Sequence, residues 1–221
     1  MSWATKVFLS AFAVVTAVSM NKIFAGPTTE VLSMEEQVRQ SRVLKVAKMG
    51  DPILAKRAQE IEDPTSPSTR SMANDMLATA KDIGDLVGLA GPQVNLSYRI
   101  VLFWVPKEEG EEVPPTLMIN PTWEPISDET EQDWEGCLSV PGLVGLVPRY
   151  KTIQYTYQTL TGETHHVRAT GYHARVVQHE CDHLDGKLYT HRMTDMTQLF
   201  FREEFMKFHH KEQPPSSTTS S

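Results

Sequence analysis

Gln178-His179-Glu180-Cys181-Asp182-His183 is the stretch from which the fold of this chain can be worked out. If it is helical, His179 and His183 lie one turn apart on the same face, because an α-helix has about 3.6 residues per turn. Two imidazoles at that spacing can bind one metal ion, and Glu180 can act beside them as a general base. The stretch therefore predicts a helix that carries two ligands of a catalytic metal site.

The predicted helix extends beyond this stretch. No glycine or proline interrupts the chain from Tyr172 to Leu184, and Gly186 stands where helices commonly end. Tyr172 and Val176 continue the stripe of the two histidines, so apolar side chains share the metal face. Cys181 lies about 200° round the helix from the first histidine, and we expect it to fill space in the core.

A catalytic site of this kind needs a third protein ligand. Downstream of the helix the nearest candidates are Asp185 and His191. Upstream lies Glu135-Gly136-Cys137-Leu138-Ser139, and the thiol of Cys137 can either face a metal or pack as a small apolar group. The chain has 2 cysteines in 221 residues, so a disulfide framework does not hold it together.

Three separated motifs resemble those of the peptide deformylases, metal hydrolases that remove the formyl group from N-formylmethionine of new polypeptides. The family motif E-G-C-x-S is matched in full at residues 135–139, and Q-H-E-x-D-H-x-x-G at residues 178–186. The motif G-x-G-x-A-A-x-Q is matched in part by Leu86-Val87-Gly88-Leu89-Ala90-Gly91-Pro92-Gln93. Here Leu86 replaces the first glycine and Gly91 replaces an alanine. The resemblance covers roughly residues 43–205.

The resemblance implies a set of three metal ligands: Cys137, His179 and His183. It implies Fe²⁺ as the usual ion, with Zn²⁺, Ni²⁺ or Co²⁺ as substitutes, and a Cys/His/His set suits zinc on general grounds. Imidazoles that bind a metal usually donate their other N–H to a carboxylate or a carbonyl. Glu135 and Asp182 are the local candidates, although either can instead pair with Arg149.

The resemblance also implies the roles of three catalytic groups. Glu180 is the expected general base, which takes a proton from water and passes it to the departing amine. Attack on the formyl carbon produces an oxyanion, which needs hydrogen-bond donors in fixed positions. The expected donors are the side-chain amide of Gln93 and the backbone N–H of Leu138.

The implied substrate is an N-formylmethionyl nascent peptide, whose small formyl group must come close to the protein backbone. Gly88 and Gly91 have no Cβ atom and would permit this approach. Val87, Tyr172 and Val176 are the expected walls around the methionine side chain, and core packing explains each of them equally well. The net charge of −7 argues against nucleic-acid binding. We expect at most a transient contact with the ribosome and no stable association with a membrane.

Apolar patterning outside the motifs predicts an α+β fold. Residues 68–83 have helical periodicity, and residues 100–105 form a continuous apolar run of strand length. Residues 151–160 and 163–168 predict a β-hairpin, and residues 194–208 predict a last helix. The expected architecture is a set of antiparallel strands packed around a central metal-bearing helix, with a C-terminal helix.

We expect one catalytic domain over residues 41–210, between an N-terminal extension and a disordered tail. Residues 1–40 include an apolar stretch, so they are either a targeting segment or the result of a start assigned too far upstream. Residues 211–221 are rich in Pro, Ser and Thr. Formylated chains are made in the bacterial cytoplasm, in mitochondria and in plastids. The expected location is the bacterial cytoplasm, with a mitochondrion or plastid as the alternative.

Two other functions are compatible with parts of the sequence. A zinc endopeptidase would use the same helix without depending on Cys137. A binding protein of the same fold would result if Leu86 blocked access to the metal, although every expected metal ligand is present.

Overall fold

Two antiparallel sheets and three α-helices account for most of the described part of the chain, residues 41–209 of a computed structural model. The strands are β1 Gly88–Ala90, β2 Ile100–Val105, β3 Val113–Pro125, β4 Thr130–Cys137, β5 Val140–Tyr150, β6 Thr152–Gln158, β7 Thr164–Thr170 and β8 Leu199–Phe201. The helices are α1 Pro67–Ile83, α2 Gly171–Leu184 and α3 Arg202–Phe208. One sheet has the order β1-β2-β3-β6-β7 and the other β4-β5-β8. The prediction of an α+β fold is confirmed.

Helix α2 is the central element, because it packs against strands of both sheets. Ten of its 14 residues are buried, so most of its surface is covered by protein. The turn that follows it needs a glycine: Gly186 has φ +70°, and a Cβ there would lie 2.8 Å from the carbonyl carbon of Ala55. Cys181 is buried in the apolar core beside α2, as expected.

The position of β2 between two apolar cores explains why its sequence is apolar throughout. Successive side chains of a strand point to opposite faces of the sheet. Val101 and Phe103 pack on the α2 side of the five-stranded sheet, whereas Ile100 and Leu102 pack in the core beneath α1. Both faces of β2 are covered, and all six of its residues are buried.

The three-stranded sheet carries the E-G-C motif at its turn. Strands β4 and β5 form a hairpin in which Cys137 pairs with Val140, so Leu138 and Ser139 make the turn between the strands. The hairpin predicted for residues 151–168 is also present, as β6 and β7, which pair from Thr152↔Thr170 to Gln158↔Thr164. The β4–β5 hairpin brings the thiol of Cys137 towards α2.

The last predicted helix is wrong over part of its length. Within residues 194–208, Met196–Gln198 form a 3-10 turn, Leu199–Phe201 form β8, and only Arg202–Phe208 are α-helical. β8 pairs with β5, and this backbone pairing between distant segments outweighs a weak helical periodicity.

The two ends of the chain are outside the described part. The expectations for residues 1–40 and 210–221 therefore stay predictions. Across residues 41–209, no helix has the length and apolar character needed to span a membrane.

Candidate metal centre

The three expected ligands come together although they arise from two elements. Helix α2 supplies His179 and His183, and the end of β4 supplies Cys137. Their ligand atoms all lie within 4.8 Å of one another, and Cys137 Sγ is 3.3 Å from His183 Nε2. In residues 41–209 this is the one group of three or more such side chains that is close enough to hold an ion. A thiolate with two imidazoles is a donor set that fits a divalent transition metal.

The two other third-ligand candidates are engaged elsewhere. Asp185 Oδ1 accepts a hydrogen bond from Arg99 Nη1 at 2.8 Å. His191 Nδ1 accepts one from the backbone N–H of Leu188 at 3.2 Å. Neither side chain belongs to the cluster that can hold an ion.

The thiol and the imidazoles of the cluster shift one another's pKa. Burial would raise the pKa of the Cys137 thiol, but His183 and His179 outweigh it and hold that pKa well below its usual value. Burial would lower the pKa of His179, but the hydrogen bonds and charges of Cys137 and Glu135 raise it well above its usual value. The lowered pKa of Cys137 favours the thiolate that a metal site needs, whereas a proton held by the two histidines would have to leave when an ion binds.

Glu135 is the carboxylate that orients His179. His179 Nδ1 donates to Glu135 Oε2 at 2.8 Å, which leaves Nε2 free to face an ion. Burial would raise the pKa of Glu135, but Arg149 and His179 outweigh it and hold the pKa well below its usual value. Asp182 instead accepts hydrogen bonds from Arg149 and Arg192. Arg149 therefore binds both Glu135 and Asp182, the two carboxylates that the sequence offers as partners for a ligating histidine.

Glu180 is buried next to the ligands, and burial raises the pKa of its carboxyl group. Its Oε2 atom accepts no hydrogen bond from the described part of the chain. Gly88 makes room for this side chain, since a Cβ on Gly88 would lie 2.2 Å from Glu180 Oε1. A base whose pKa is raised towards neutrality suits proton transfer near neutral pH.

Gln93 is held in one orientation. Its Oε1 atom accepts a hydrogen bond from the backbone N–H of Ala90 at 2.8 Å, so the NH₂ end must point the other way. Nε2 lies 3.4 Å from Cys137 Sγ and 3.5 Å from Ser139 Oγ. The amide donor therefore faces the ligand cluster. Leu138 follows Cys137 in the turn between β4 and β5 and lines a cavity beside the cluster.

The sequence profile of the polypeptide deformylases matches residues 43–199. The chain belongs to this family. Peptide deformylase 1 of Bordetella pertussis is 44% identical over 162 residues, which are 72% of this chain and 92% of that protein. Peptide deformylase 1 of Nitrosomonas europaea is 41% identical over the same length and the same shares of both chains. A class I type b peptide deformylase from Acinetobacter baumannii superposes with a TM-score of 0.64 at 37% identity, covering 69% of this chain and 100% of its own.

Family membership establishes the reaction. The chain is a metal-dependent hydrolase that removes N-formyl groups from newly made polypeptides, and the relatives named above are bacterial. The deformylase resemblance of the three motifs is confirmed.

A cavity of about 280 Å³ opens beside the cluster. Nine of the residues expected at the site line it: Val87, Gly88, Gln93, Cys137, Leu138, Tyr172, Val176, His179 and Glu180. The expected ligand His183 is buried and is not part of the lining. Val176 also belongs to the buried core, and Val87 and Tyr172 pack against that core. The positions of these three side chains therefore agree both with a wall around the methionine side chain and with packing in the core.

Gly91 does not belong to the cavity lining, and its expected contact with the substrate stays a prediction. A Cβ on Gly91 would lie 2.7 Å from the carbonyl oxygen of Tyr98 and 2.8 Å from that of Leu96. The missing side chain admits the chain's own backbone. Leu86, which replaces the usual first glycine, is buried and lines the cavity.

Three charged residues of the cavity lining were missed in the sequence: Asp85, Arg175 and Arg202. The position of Arg175 offered a signal, because it lies four residues before His179 on a helix face expected to be buried. A charged residue on such a face needs a partner. Arg202 had no comparable signal, since it reaches the cavity only through the pairing of β8 with β5.

Proposed function

We propose that Cys137, His179 and His183 hold the metal of this deformylase, with Fe²⁺ as the working ion and Zn²⁺, Ni²⁺ or Co²⁺ as substitutes. The observation that carries the proposal is the convergence of the three ligand atoms within 4.8 Å, with Glu180 buried beside them. A divalent ion held there supplies a Lewis acid for hydrolysis of the formyl amide. The preference for iron rests on the family resemblance.

The remaining groups divide the proton transfer and the charge stabilisation between them. Glu180 takes a proton from the attacking water and gives it to the departing amine nitrogen. Gln93 Nε2 and the backbone N–H of Leu138 donate to the oxyanion that develops on the formyl oxygen. The bond from Ala90 supports this role, because it fixes the Gln93 amide before the substrate arrives.

The substrate is an N-formylmethionyl peptide, bound with its methionine side chain against Val87, Tyr172 and Val176. The formyl end lies in the cavity beside Glu180, which Gly88 also lines. One of the similar structures, from A. baumannii, is described as Met-Ala-Ser bound; it is 36% identical, covers 70% of this chain and 100% of its own, and has a TM-score of 0.64. We propose that this chain binds the same class of peptide.

The place of action follows from the substrate. Formylated nascent chains are made in the bacterial cytoplasm, and we propose that the enzyme acts there, with a mitochondrion or plastid as the alternative. A transient contact with the ribosome would bring it to chains as they emerge. An oxidising compartment would expose the Cys137 thiolate to oxidation.

The test is formate release from formyl-Met-Ala-Ser by the anaerobically purified enzyme, compared with two cysteine variants. Cys137→Ser replaces a thiolate by a hydroxyl that is scarcely ionised, so metal content and activity should both fall at least tenfold. Cys181→Ala is the matched control, because Cys181 is buried in the apolar core. It should keep metal and activity once folded. Unchanged metal binding in Cys137→Ser would contradict the proposed ligand set.

A further inference from the structure

Glu135 is held by a second arginine, Arg175, which comes from the helix that carries the histidines. Arg175 Nη1 donates to Glu135 Oε1 at 2.8 Å and to the carbonyl oxygen of Val147 at 2.9 Å. Its Nη2 atom donates to the carbonyl oxygen of Glu131 at 2.7 Å. The Arg175 side chain is 6% exposed, so water does not compete effectively for these bonds. One guanidinium thus joins α2 to both strands of the β4–β5 hairpin.

Arg175 and His179 bind the two oxygens of the same carboxylate. They lie four residues apart, so their side chains leave α2 on one face. Glu135 Oε1 accepts from Arg175, and Oε2 accepts from His179 Nδ1 at 2.8 Å. A carboxylate bound at both oxygens has little freedom to rotate. The orientation of the His179 ring therefore depends on Glu135, and Arg175 is one of the groups that orient Glu135.

Arg149 binds Glu135 too, but its geometry is different. Arg149 and Glu135 both belong to the β4–β5 hairpin, and their bonds of 2.9 Å fix the carboxylate relative to the hairpin itself. Arg149 reaches α2 through Asp182, which precedes His183 in sequence. Arg175 is the arginine that links Glu135 to the part of α2 leading to His179.

We propose that Arg175 is a positioning residue of the metal centre: it docks α2 on the β4–β5 hairpin and so keeps His179 and Cys137 within reach of one ion. This inference rests on the proposed metal site. Without Arg175, Arg149 still compensates the charge of Glu135, so the fold persists. The helix and the hairpin then move more freely relative to each other, and the ion dissociates faster. Removing such supporting partners typically lowers metal affinity by about 10- to 100-fold.

The experiment uses zinc as a redox-inert probe and follows its transfer from the loaded protein to a coloured chelator. Arg175→Met keeps an unbranched side chain but removes every donor, and it should release zinc about 10- to 100-fold faster than the wild type. Arg175→Lys keeps the charge and a donor for Glu135, so its rate should be intermediate. Arg192→Met is the matched control. It removes an arginine that binds Asp182 and leaves the four bonds to Glu135 in place.

The outcomes separate positioning from general stability. The inference is overturned if folded Arg175→Met, or folded Arg175→Lys where the Met variant does not fold, releases zinc at the wild-type rate. It is also overturned if Arg192→Met releases zinc as fast as Arg175→Met, because metal retention would then follow the loss of any ion pair close to the site. Urea unfolding of the metal-free variants gives the stability against which the rates are compared. Failure of the metal site itself has another signature, zinc retention that survives Cys137→Ser.

Discussion

Glu180 is the residue at which the proposed chemistry can be tested most directly. Glu180→Gln keeps the size of the side chain and leaves all three metal ligands in place, but it removes the base. We expect metal content near that of the wild type and a kcat lowered by about 100- to 10,000-fold, the usual range for loss of a general base. Metal analysis and formate release on the same sample provide the check. A decrease of less than tenfold would mean that another group moves the proton.

Gly88 tests whether Glu180 must stay where it is. In Gly88→Ala the new Cβ would lie 2.2 Å from Glu180 Oε1, so the carboxylate has to move. We expect at least a tenfold loss of activity with metal retained, because a displaced base is misaligned for proton transfer. In the Glu180→Gln background the same substitution should cost much less, since the two changes remove one function. Additive losses in the double variant would indicate that Gly88 acts through the substrate.

At the scale of single elements, α1 offers a change in stability that leaves the site untouched. Ser66 caps α1, and its Oγ accepts a hydrogen bond from the backbone N–H of Thr69 at 3.2 Å. Ser66→Ala should lower the free energy of unfolding by about 1 kcal/mol. Since no residue of α1 lines the cavity, kcat and KM should not change. Urea unfolding and formate release measure the two effects separately, and a kinetic defect of the folded variant would show coupling between α1 and the site.

The elements also show what the sequence can and cannot predict. α2, α1 and the β6–β7 hairpin were predicted because local periodicity and capping residues determine them. β8 was predicted as helix because its conformation depends on pairing with β5, more than 50 positions earlier in the chain. Whether Glu135 or Asp182 is the partner of a ligating histidine also depends on contacts between distant segments. Both lie near the ligands in sequence, and only the packing of the β4–β5 hairpin against α2 determines which carboxylate meets His179.

At the scale of the whole molecule, the site is assembled from every layer of the fold. The thiolate comes from the three-stranded sheet, the imidazoles from α2, and Gly88 from the edge strand of the five-stranded sheet. Motifs can identify these groups without specifying how they meet. Gly91 illustrates the difference: its motif position predicts a contact with substrate, and only the fold shows that the carbonyl oxygens of Tyr98 and Leu96 lie where its Cβ would be.

His173 links the packing of the whole molecule to pH, because it lies where α2 meets the five-stranded sheet. Its Nε2 atom is 3.0 Å from the hydroxyl of Tyr155, and its ring stacks on Phe103 with centroids 5.7 Å apart. Burial lowers the pKa of His173, although Glu111 acts in the opposite direction. The folded protein therefore binds this proton more weakly than the unfolded chain does.

The sign of the resulting pH dependence follows from linkage. The stability contributed by neutral His173 is complete above the unfolded pKa of about 6.5, and it decreases as the pH falls below that value, because the unfolded chain then takes up more protons. His173→Gln cannot titrate and should lack this part of the decrease. We therefore expect the wild type to lose more free energy of unfolding than the variant between about pH 7.5 and pH 5.5. Urea unfolding of the two metal-free proteins across that range measures the difference. Parallel curves would mean that His173 has the same proton affinity in the folded and unfolded chains.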